Sequence, residues 1–246
     1  MARADTVHLY AAGSLKAALS EIARAYEAAG GGKVEAKFGP SGLLKDEIAN
    51  GAKADVFASA NMTHPQALHD AGRSGPVARF ARNALCALVR PGLAVDSASL
   101  LARMLDPRVT LATSTPQADP SGDYAFAVFA KAEALRPGAR QALEGKALRL
   151  TGGKDSVAPP AGCNIYGWHL AAGRADMFLT YCTNALAAQA QYPAQKCVML
   201  APALAVGADY GLTVMKDAPA GALAFAHTIL SAPGQTILAR HGFAAP

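Results

Sequence analysis

The chain has 246 residues, of which 52% are apolar and 17% charged, and its formal net charge is +5 at pH 7. The apolar fraction is enough to bury a core, which excludes an intrinsically disordered chain. The basic residues are dispersed, with few aromatic residues among them, so we expect no nucleic acid as a partner. No uncharged stretch is typical of a membrane span, so we expect a soluble protein, and the length predicts one large or two small domains.

The N-terminal part of the chain predicts three strands that alternate with two helices. Residues 7–11 form a short apolar run, and apolar residues then recur at helical spacing over 15–26. A strand over 34–38, a helix that begins near Ser41 and a strand over 55–59 repeat this order. Because crossovers of this length join parallel strands, we predict a parallel sheet flanked by helices, an α/β fold.

The same alternation continues along the rest of the chain, without a repeat of fixed period or a low-complexity linker. The predicted strands cover 84–89, 109–112, 149–151, 177–181 and 210–215, and the predicted helices cover 124–135, 164–172, 221–230 and 233–241.

The sequence motifs of several enzyme classes are incomplete. Gly153-Lys154-Asp155 lacks both the first glycine and the final Ser or Thr of a phosphate loop, and Ser41 lacks the last glycine of a GxSxG motif. Cys163 and His169 are six residues apart and would face different sides of one helix, which disfavours a nucleophile and base pair. We therefore expect a protein that is not an enzyme and has no cofactor; a thiol-dependent enzyme that uses Cys163 or Cys182 stays as an alternative.

Three serines stand where a predicted helix begins: Ser14, Ser41 and Ser121. Each of them is a good N-cap residue, and capping is the simplest role for any one of them. Taken together at the carboxyl ends of parallel strands, however, such helix starts gather free N–H groups and positive helix ends. The sequence therefore predicts an anion site that contains no lysine.

Several blocks of the chain resemble the periplasmic molybdate-binding proteins, which are the solute-binding components of ABC importers. The order and spacing of these blocks are specific to that group and its close relatives, and together they cover nearly the whole chain. The matching segments are 11–15 (AAGSL), 38–44 (FGPSGLL), 51–60 (GAKADVFASA), 119–122 (DPSG), 177–181 (MFLTY) and 240–243 (RHGF).

This resemblance implies a two-lobed type II periplasmic binding fold, in which each lobe has a mainly parallel sheet flanked by helices and the ligand lies in the cleft between the lobes. Lobe I would comprise 1–83 and 204–246, and lobe II 84–203. The implied function is high-affinity binding of molybdate or tungstate and its delivery to an ABC transporter permease. A different oxyanion or a small organic anion is the alternative ligand, and we expect a monomer.

Carried over residue by residue, the resemblance assigns ligand contacts to five residues. Ser14 and Ser41 would donate hydroxyl and backbone N–H bonds, Ser121 and Cys163 would donate backbone N–H bonds, and the hydroxyl of Tyr181 would reach the anion. Cys163 departs from the family pattern, which usually has an aliphatic residue at this position. No residue is expected to bind the metal directly.

Three further residues are candidates for the site. Gly13 precedes Ser14, whereas Asp119 and Asp123 flank Ser121. Carboxylates that point at a dianion would repel it, which favours capping or solvent-facing roles for the two aspartates. If they point inward, the ligand would differ, because archaeal relatives are thought to add carboxylate ligands to the metal itself.

The four cysteines show no spacing typical of a zinc site. Cys86 lies in an apolar run and is predicted to be a small buried residue. Cys163, Cys182 and Cys197 would allow one disulfide in an oxidising compartment, and a bond from Cys163 to Cys182 is favoured because both neighbour the implied site. Free buried thiols are the alternative, since spacing does not determine connectivity.

The first five residues lack the apolar stretch of a signal peptide. From the residues alone, the chain is either cytoplasmic or has lost its export signal. The family resemblance implies the periplasm.

Overall fold

The computed structural model of the protein describes residues 6–246. Residues 1–5, over which the signal-peptide question arises, lie outside the described residues. In the described part, nine strands, β1–β9, cover Val7–Ala12, Val34–Gly39, Val56–Ser59, Ala78–Val89, Leu111–Ser114, Leu148–Thr151, Met177–Tyr181, Lys196–Met199 and Gly207–Val214. Ten α-helices, α1–α10, cover Lys16–Ala28, Ser41–Ala49, Thr63–Asp70, Leu100–Leu105, Pro120–Leu135, Ala139–Lys146, Ile165–Ala171, Cys182–Gln191, Ala220–Leu230 and Ala232–Arg240.

The chain divides into two compact units. The first ends at Asn83 and resumes at Ala208, and the second covers 84–207. Sequence analysis placed the return to the first unit at 203/204. In the structure Ala205 and Val206 belong to the second unit, because their carbonyl groups accept hydrogen bonds from Lys131 and from the backbone of Leu85.

In the first unit, β1 runs parallel to both β2 and β3, while β9 pairs antiparallel with β3. Helix α1 packs against α9 and α10, and its apolar face is buried as the helical spacing predicted. The ring of Tyr26 on α1 lies 5.3 Å from that of Phe225 on α9, between centroids. Because β1, β2 and β3 are parallel, their carboxyl ends meet at one edge of the sheet.

In the second unit, β5 runs parallel to β6 and β7, whereas β4 pairs antiparallel with β7 and β8. The α/β prediction is confirmed, and the parallel pairs of each unit are joined by antiparallel ones, which makes the sheet mixed. The reason lies in β4 and β9, the strands through which the chain passes between the units: each runs against its neighbour in the sheet.

Several elements escaped the sequence analysis. Helix α8 follows β7 directly, because Tyr181 ends the strand and Cys182 starts the helix. No turn residues lie between them to indicate the boundary. Strand β4 begins at Ala78 instead of 84, although polar residues interrupt its apolar run; tertiary pairing supports this part, since Arg82 forms a β-bridge with Ala244. The helices α3, α4 and α6 and the strand β8 were also missed.

Candidate functional site

The first unit places two of the predicted serines at the same edge of its sheet. The parallel register of β1 and β2 runs through Ala12, which lies opposite Gly39. Ser14 and Ser41 each lie two residues beyond this pair. Neighbouring strand ends therefore present the two residues at equivalent positions.

The helices at these two strand ends begin without a side-chain cap. A short 3-10 turn, Gly13–Leu15, leads from β1 into α1, and Pro40 precedes α2. The N–H groups in the first turn of a helix have no partner within the helix and form its positive end. Gly13 is exposed, and a Cβ on it would meet nothing within 4 Å, so the backbone at this turn is approachable.

Ser41 is buried, with 1% of its surface exposed, and its hydroxyl oxygen accepts a hydrogen bond of 3.1 Å from the N–H of Ala60. Because the hydroxyl acts as an acceptor in this contact, its hydrogen can still be donated elsewhere. Ala60 follows β3, which pairs with β1. Ser41 thus connects the ends of two strands and keeps a donor for a ligand.

Ser14 is held by residues that sequence reasoning missed. Its Oγ lies 3.0 Å from the Oη of Tyr210, and the side-chain amide of Asn83 donates to the same Oη at 3.2 Å. Both partners are buried. Tyr210 stands 196 positions from Ser14 in the chain, and no local pattern could have signalled this contact.

In the second unit, the donor predicted at Ser121 already has a partner. Asp119 is the N-cap of α5, and its Oδ1 accepts a hydrogen bond of 3.0 Å from the Ser121 N–H. The hydroxyl of Ser121 is buried and has no hydrogen-bond partner in the described structure. What Ser121 has available is therefore its hydroxyl rather than the backbone N–H that the family resemblance implied.

Asp119 lies among polar side chains at the carboxyl edge of this unit's sheet. Burial raises its pKa to about 6, the negative charge of Asp123 adds to the rise, and hydrogen bonds from the Ser121 N–H and the Ser114 hydroxyl oppose it. The Ser114 hydroxyl also lies 2.9 Å from that of Thr151. Burial likewise raises the pKa of Tyr166, whose hydroxyl approaches the same group of residues.

Asp123 has a local structural role. Its Oδ1 accepts a 2.7 Å hydrogen bond from the N–H of Gln117, a residue held at a φ of 67°. Non-glycine residues rarely adopt this left-handed conformation, so the bond stabilises the turn that leads into α5. Of the capping or solvent-facing roles favoured for the two aspartates, the structure shows capping for Asp119, while Asp123 holds the turn.

The predicted donor at Cys163 is also occupied. Its N–H donates to the carbonyl oxygen of Pro160 at 3.1 Å. The next residue, Asn164, caps α7 by accepting hydrogen bonds from the N–H groups of Tyr166 and Gly167, both of 3.1 Å. The Cys163 thiol contacts the hydroxyl of Tyr192 and raises the pKa of that tyrosine.

Tyr181 ends β7, and only 1% of its surface is exposed. Its ring meets that of Tyr124 on α5 edge to face, with the centroids 6.1 Å apart. The helix that it precedes, α8, has no side-chain cap. Tyr181 thus stands at the same edge of the sheet as Asp119 and Ser121, since the parallel strands β5 and β7 end there.

The disulfide pairing predicted from the sequence is wrong. Cys86 is bonded to Cys182, with their Cα atoms 4.9 Å apart, while Cys163 and Cys197 are free. In the antiparallel register of β4 and β7, Cys86 lies opposite Thr180, so the register alone does not pair it with a cysteine. Cys182 lies two residues beyond Thr180, where the chain leaves β7 and begins α8. Cys86 is therefore buried as expected, but as half of a disulfide.

Other classes of site are not found in the part of the chain that the structure describes. Residues 6–246 contain no group of three or more His, Cys, Asp or Glu side chains arranged to hold a metal ion. Over the same residues, no helix has the length and apolar character required to span a bilayer.

Comparison with known proteins identifies similar chains. The model of a family described as bacterial extracellular solute-binding protein matches residues 7–244. An uncharacterised protein of Pasteurella multocida is 37% identical over 62% of this chain and 64% of its own length, and the molybdate-binding protein ModA of Azotobacter vinelandii is 32% identical over 53% of this chain and 52% of its own. The aligned regions thus span less than two thirds of these relatives.

The solved structure of the periplasmic molybdate-binding protein of Azotobacter vinelandii has a similar fold, with a TM-score of 0.76 and 21% identity over 98% of this chain and 99% of that one. The fold is that of the type II periplasmic binding proteins, as the resemblance implied. The similarity to molybdate-binding proteins, first seen in short blocks, is confirmed by these relatives.

Proposed function

We propose, from the premise that this chain belongs to the family of bacterial extracellular solute-binding proteins, that it binds molybdate and delivers it to the permease of an ABC importer. The named relatives support molybdate as the ligand. High affinity, tungstate as a second ligand, a monomeric state and a periplasmic location are parts of the same proposal.

The observation that carries the proposal is the pair of uncapped helix starts in the first unit, each with a serine hydroxyl. Ser41 keeps its hydroxyl hydrogen for a ligand while its oxygen is held by Ala60. Neutral donors suit a small tetrahedral anion because each can meet one oxygen at a fixed distance, and charge-assisted hydrogen bonds are shorter and stronger than neutral ones. We propose Ser14 and Ser41 as the main ligand contacts, with the exposed backbone of Gly13 as a further one.

For the second unit, we propose contacts from the hydroxyl groups of Ser121 and Tyr181. The Ser121 hydroxyl supports this role because it is buried without a partner. The backbone N–H of Ser121 would first have to break its hydrogen bond to Asp119, and that of Cys163 its hydrogen bond to Pro160, before either could donate to a ligand. We therefore rank them below the hydroxyl groups.

An enzymatic role has less support. The family and the structural relatives are solute-binding proteins. Cys182 is held in a disulfide and is not available as a nucleophile. Cys163 is free, but its thiol contacts a tyrosine rather than a general base.

The proposal is tested by thermal unfolding with molybdate, tungstate, sulfate and phosphate in turn. A ligand present at about 1,000 times its dissociation constant adds about 4 kcal/mol to the free energy of unfolding. We expect molybdate and tungstate to raise the melting temperature by several degrees, and sulfate to raise it less because its tetrahedron is smaller. If all four anions leave the melting temperature unchanged, the proposed function is wrong.

A further inference from the structure

The start of α5 carries an arrangement that an oxyanion receptor does not require. The carboxyl of Asp119 accepts a hydrogen bond of 3.0 Å from the Ser121 N–H. A second carboxyl, that of Asp123, lies one turn further along the helix. The hydroxyl of Ser121 is buried and has no hydrogen-bond partner in the described structure. The backbone N–H of Ser121 is thus bound to the Asp119 carboxyl, whereas the Ser121 hydroxyl is left without a partner.

Asp119 has little room to move away from a ligand at Ser121. The backbone of Gly152, with a φ of 78°, packs directly against it, and a Cβ at position 152 would lie 2.6 Å from the Asp119 Cβ. The hydroxyl of Ser114 approaches the carboxyl from β5. Gly152 and Ser114 therefore restrict the side chain on two sides, and a bound anion would have to share the helix start with it.

Among residues 6–246, the charged side chain that shifts the pKa of Asp119 is an anion, Asp123. The titratable groups that act on Asp119 are Asp123 of α5 and Tyr166 of α7. The first is an anion, the second has a pKa raised by burial and is neutral, and Ser114 and Thr151 carry no charge. A dianion beside an ionised Asp119 would meet a like charge in a poorly solvated place, which favours the neutral form of the carboxyl.

We propose that a doubly charged tetrahedral oxyanion binds at Ser121 together with one proton, which is held between the Asp119 carboxyl and the nearest anion oxygen. The proton comes from the acid form of the buffer, which is left as its conjugate base, and no covalent bond of the anion is broken. The anion accepts hydrogen bonds from Asp119 and from the Ser121 hydroxyl. Asp119 is then a specificity-determining residue, because the affinity for a fully ionised anion falls as the pH rises and Asp119 loses its proton. This inference rests on the proposed function.

The test is isothermal titration of the protein with sodium molybdate between about pH 6 and about pH 8.5, in two buffers that differ in heat of ionisation. From the difference in measured heat, we expect close to one proton taken up per molybdate at the alkaline end. Above the pKa of Asp119, the dissociation constant should rise toward tenfold per pH unit, as one coupled proton requires.

The variant Asp119→Asn keeps an oxygen that can cap α5 but removes the titrating group. We expect its affinity for molybdate to be independent of pH and its proton uptake to be near zero. Asp123→Asn is the matched control, since it removes a carboxylate from the same helix start and keeps the acceptor for Gln117. It should retain the pH slope of the unmodified protein.

The outcomes separate the two proposals. Molybdate binding with no proton uptake, or a pH slope that survives in Asp119→Asn, overturns the role of Asp119 and leaves the proposed function standing. If neither the unmodified protein nor Asp119→Asn binds any of the four oxyanions at any pH in the range, the proposed function is wrong and this inference is overturned with it.

Discussion

The two units end their parallel strands in the same way but treat the helix starts that follow differently. In the first unit, Pro40 precedes α2 and offers no side-chain acceptor, so the first turn of the helix is uncapped. In the second unit, Asp119 and Asn164 precede α5 and α7, and both accept hydrogen bonds from the first turn, whereas α8 is uncapped like α2. One residue before each helix thus decides whether the donors are open to a ligand or satisfied within the chain.

The units also differ in how they are stabilised. In the described residues, the one disulfide, Cys86–Cys182, lies in the second unit and joins β4 to the start of α8. At the corresponding edge of the first unit, hydrogen bonds of Ser14 and Ser41 accompany the packing. Loss of the disulfide bond should therefore act mostly on stability, and loss of the open donors in the first unit mostly on binding.

The largest effect is expected from removing the disulfide with Cys86→Ala and Cys182→Ala together. The bond closes a loop of 96 residues, and its loss should lower the free energy of unfolding by about 3–5 kcal/mol, mainly by releasing the unfolded chain. Urea unfolding measures this loss. Cys163→Ser is the control and should change stability by less than about 1 kcal/mol. Equal stability of the double variant and the unmodified protein would contradict the structural role of the bond.

The next effect concerns ligand affinity in the first unit. Ser14→Ala and Ser41→Ala should each weaken molybdate binding by about 1.5–3 kcal/mol, because each removes a hydrogen bond to a charged oxygen. Titration calorimetry at pH 6 measures the change. Ser20→Ala, on the adjacent helix α1, is a matched control with no expected effect on affinity. Unchanged affinity in both site variants would remove these serines from the site.

A smaller effect is expected from pH acting on Asp119 without ligand. Its pKa in the folded protein is about 6, above the ordinary value of 3.8, so the fold disfavours the ionised form. The free energy of unfolding should therefore fall as the pH rises from about 4 to about 6, by no more than about 2 kcal/mol for this partly exposed residue, and then level off. Urea unfolding at a series of pH values measures this fall in the free energy of unfolding, and Asp119→Asn should remove it. A fall of the same size in the variant would show that other groups cause it.

The smallest effect is a difference in the free energy of unfolding between alanine variants of two buried serines, Ser41 and Ser121. Ser41→Ala should lower the free energy of unfolding by about 1 kcal/mol, because the N–H of Ala60 loses its acceptor. Ser121→Ala should raise it slightly or leave it unchanged, because its hydroxyl has no partner to lose. Thermal unfolding without ligand compares the two. A loss of stability in Ser121→Ala as large as that in Ser41→Ala would show that the two hydroxyl groups have similar surroundings.

Local patterns were sufficient to place Ser14 and Ser41 at helix starts, since a strand, a turn and a helix are all encoded within about 20 neighbouring residues. The cap formed by Asp119 is equally local, because Asp-Pro-Ser is typical of a helix N-terminus. The contact of Ser14 with Tyr210 is not local and could not be predicted. Whether any of these residues touches a ligand stays a prediction.

The sequence by itself determined the α/β class, most of the strands and helices and the blocks that mark the family, because each of these depends on residues close together in the chain. Only the tertiary structure decided the antiparallel course of β4 and β9, the Cys86–Cys182 bond and which helix starts keep free donors. Strand pairing and disulfides join residues far apart in the chain, and a donor is free only where the folded chain brings no acceptor to it.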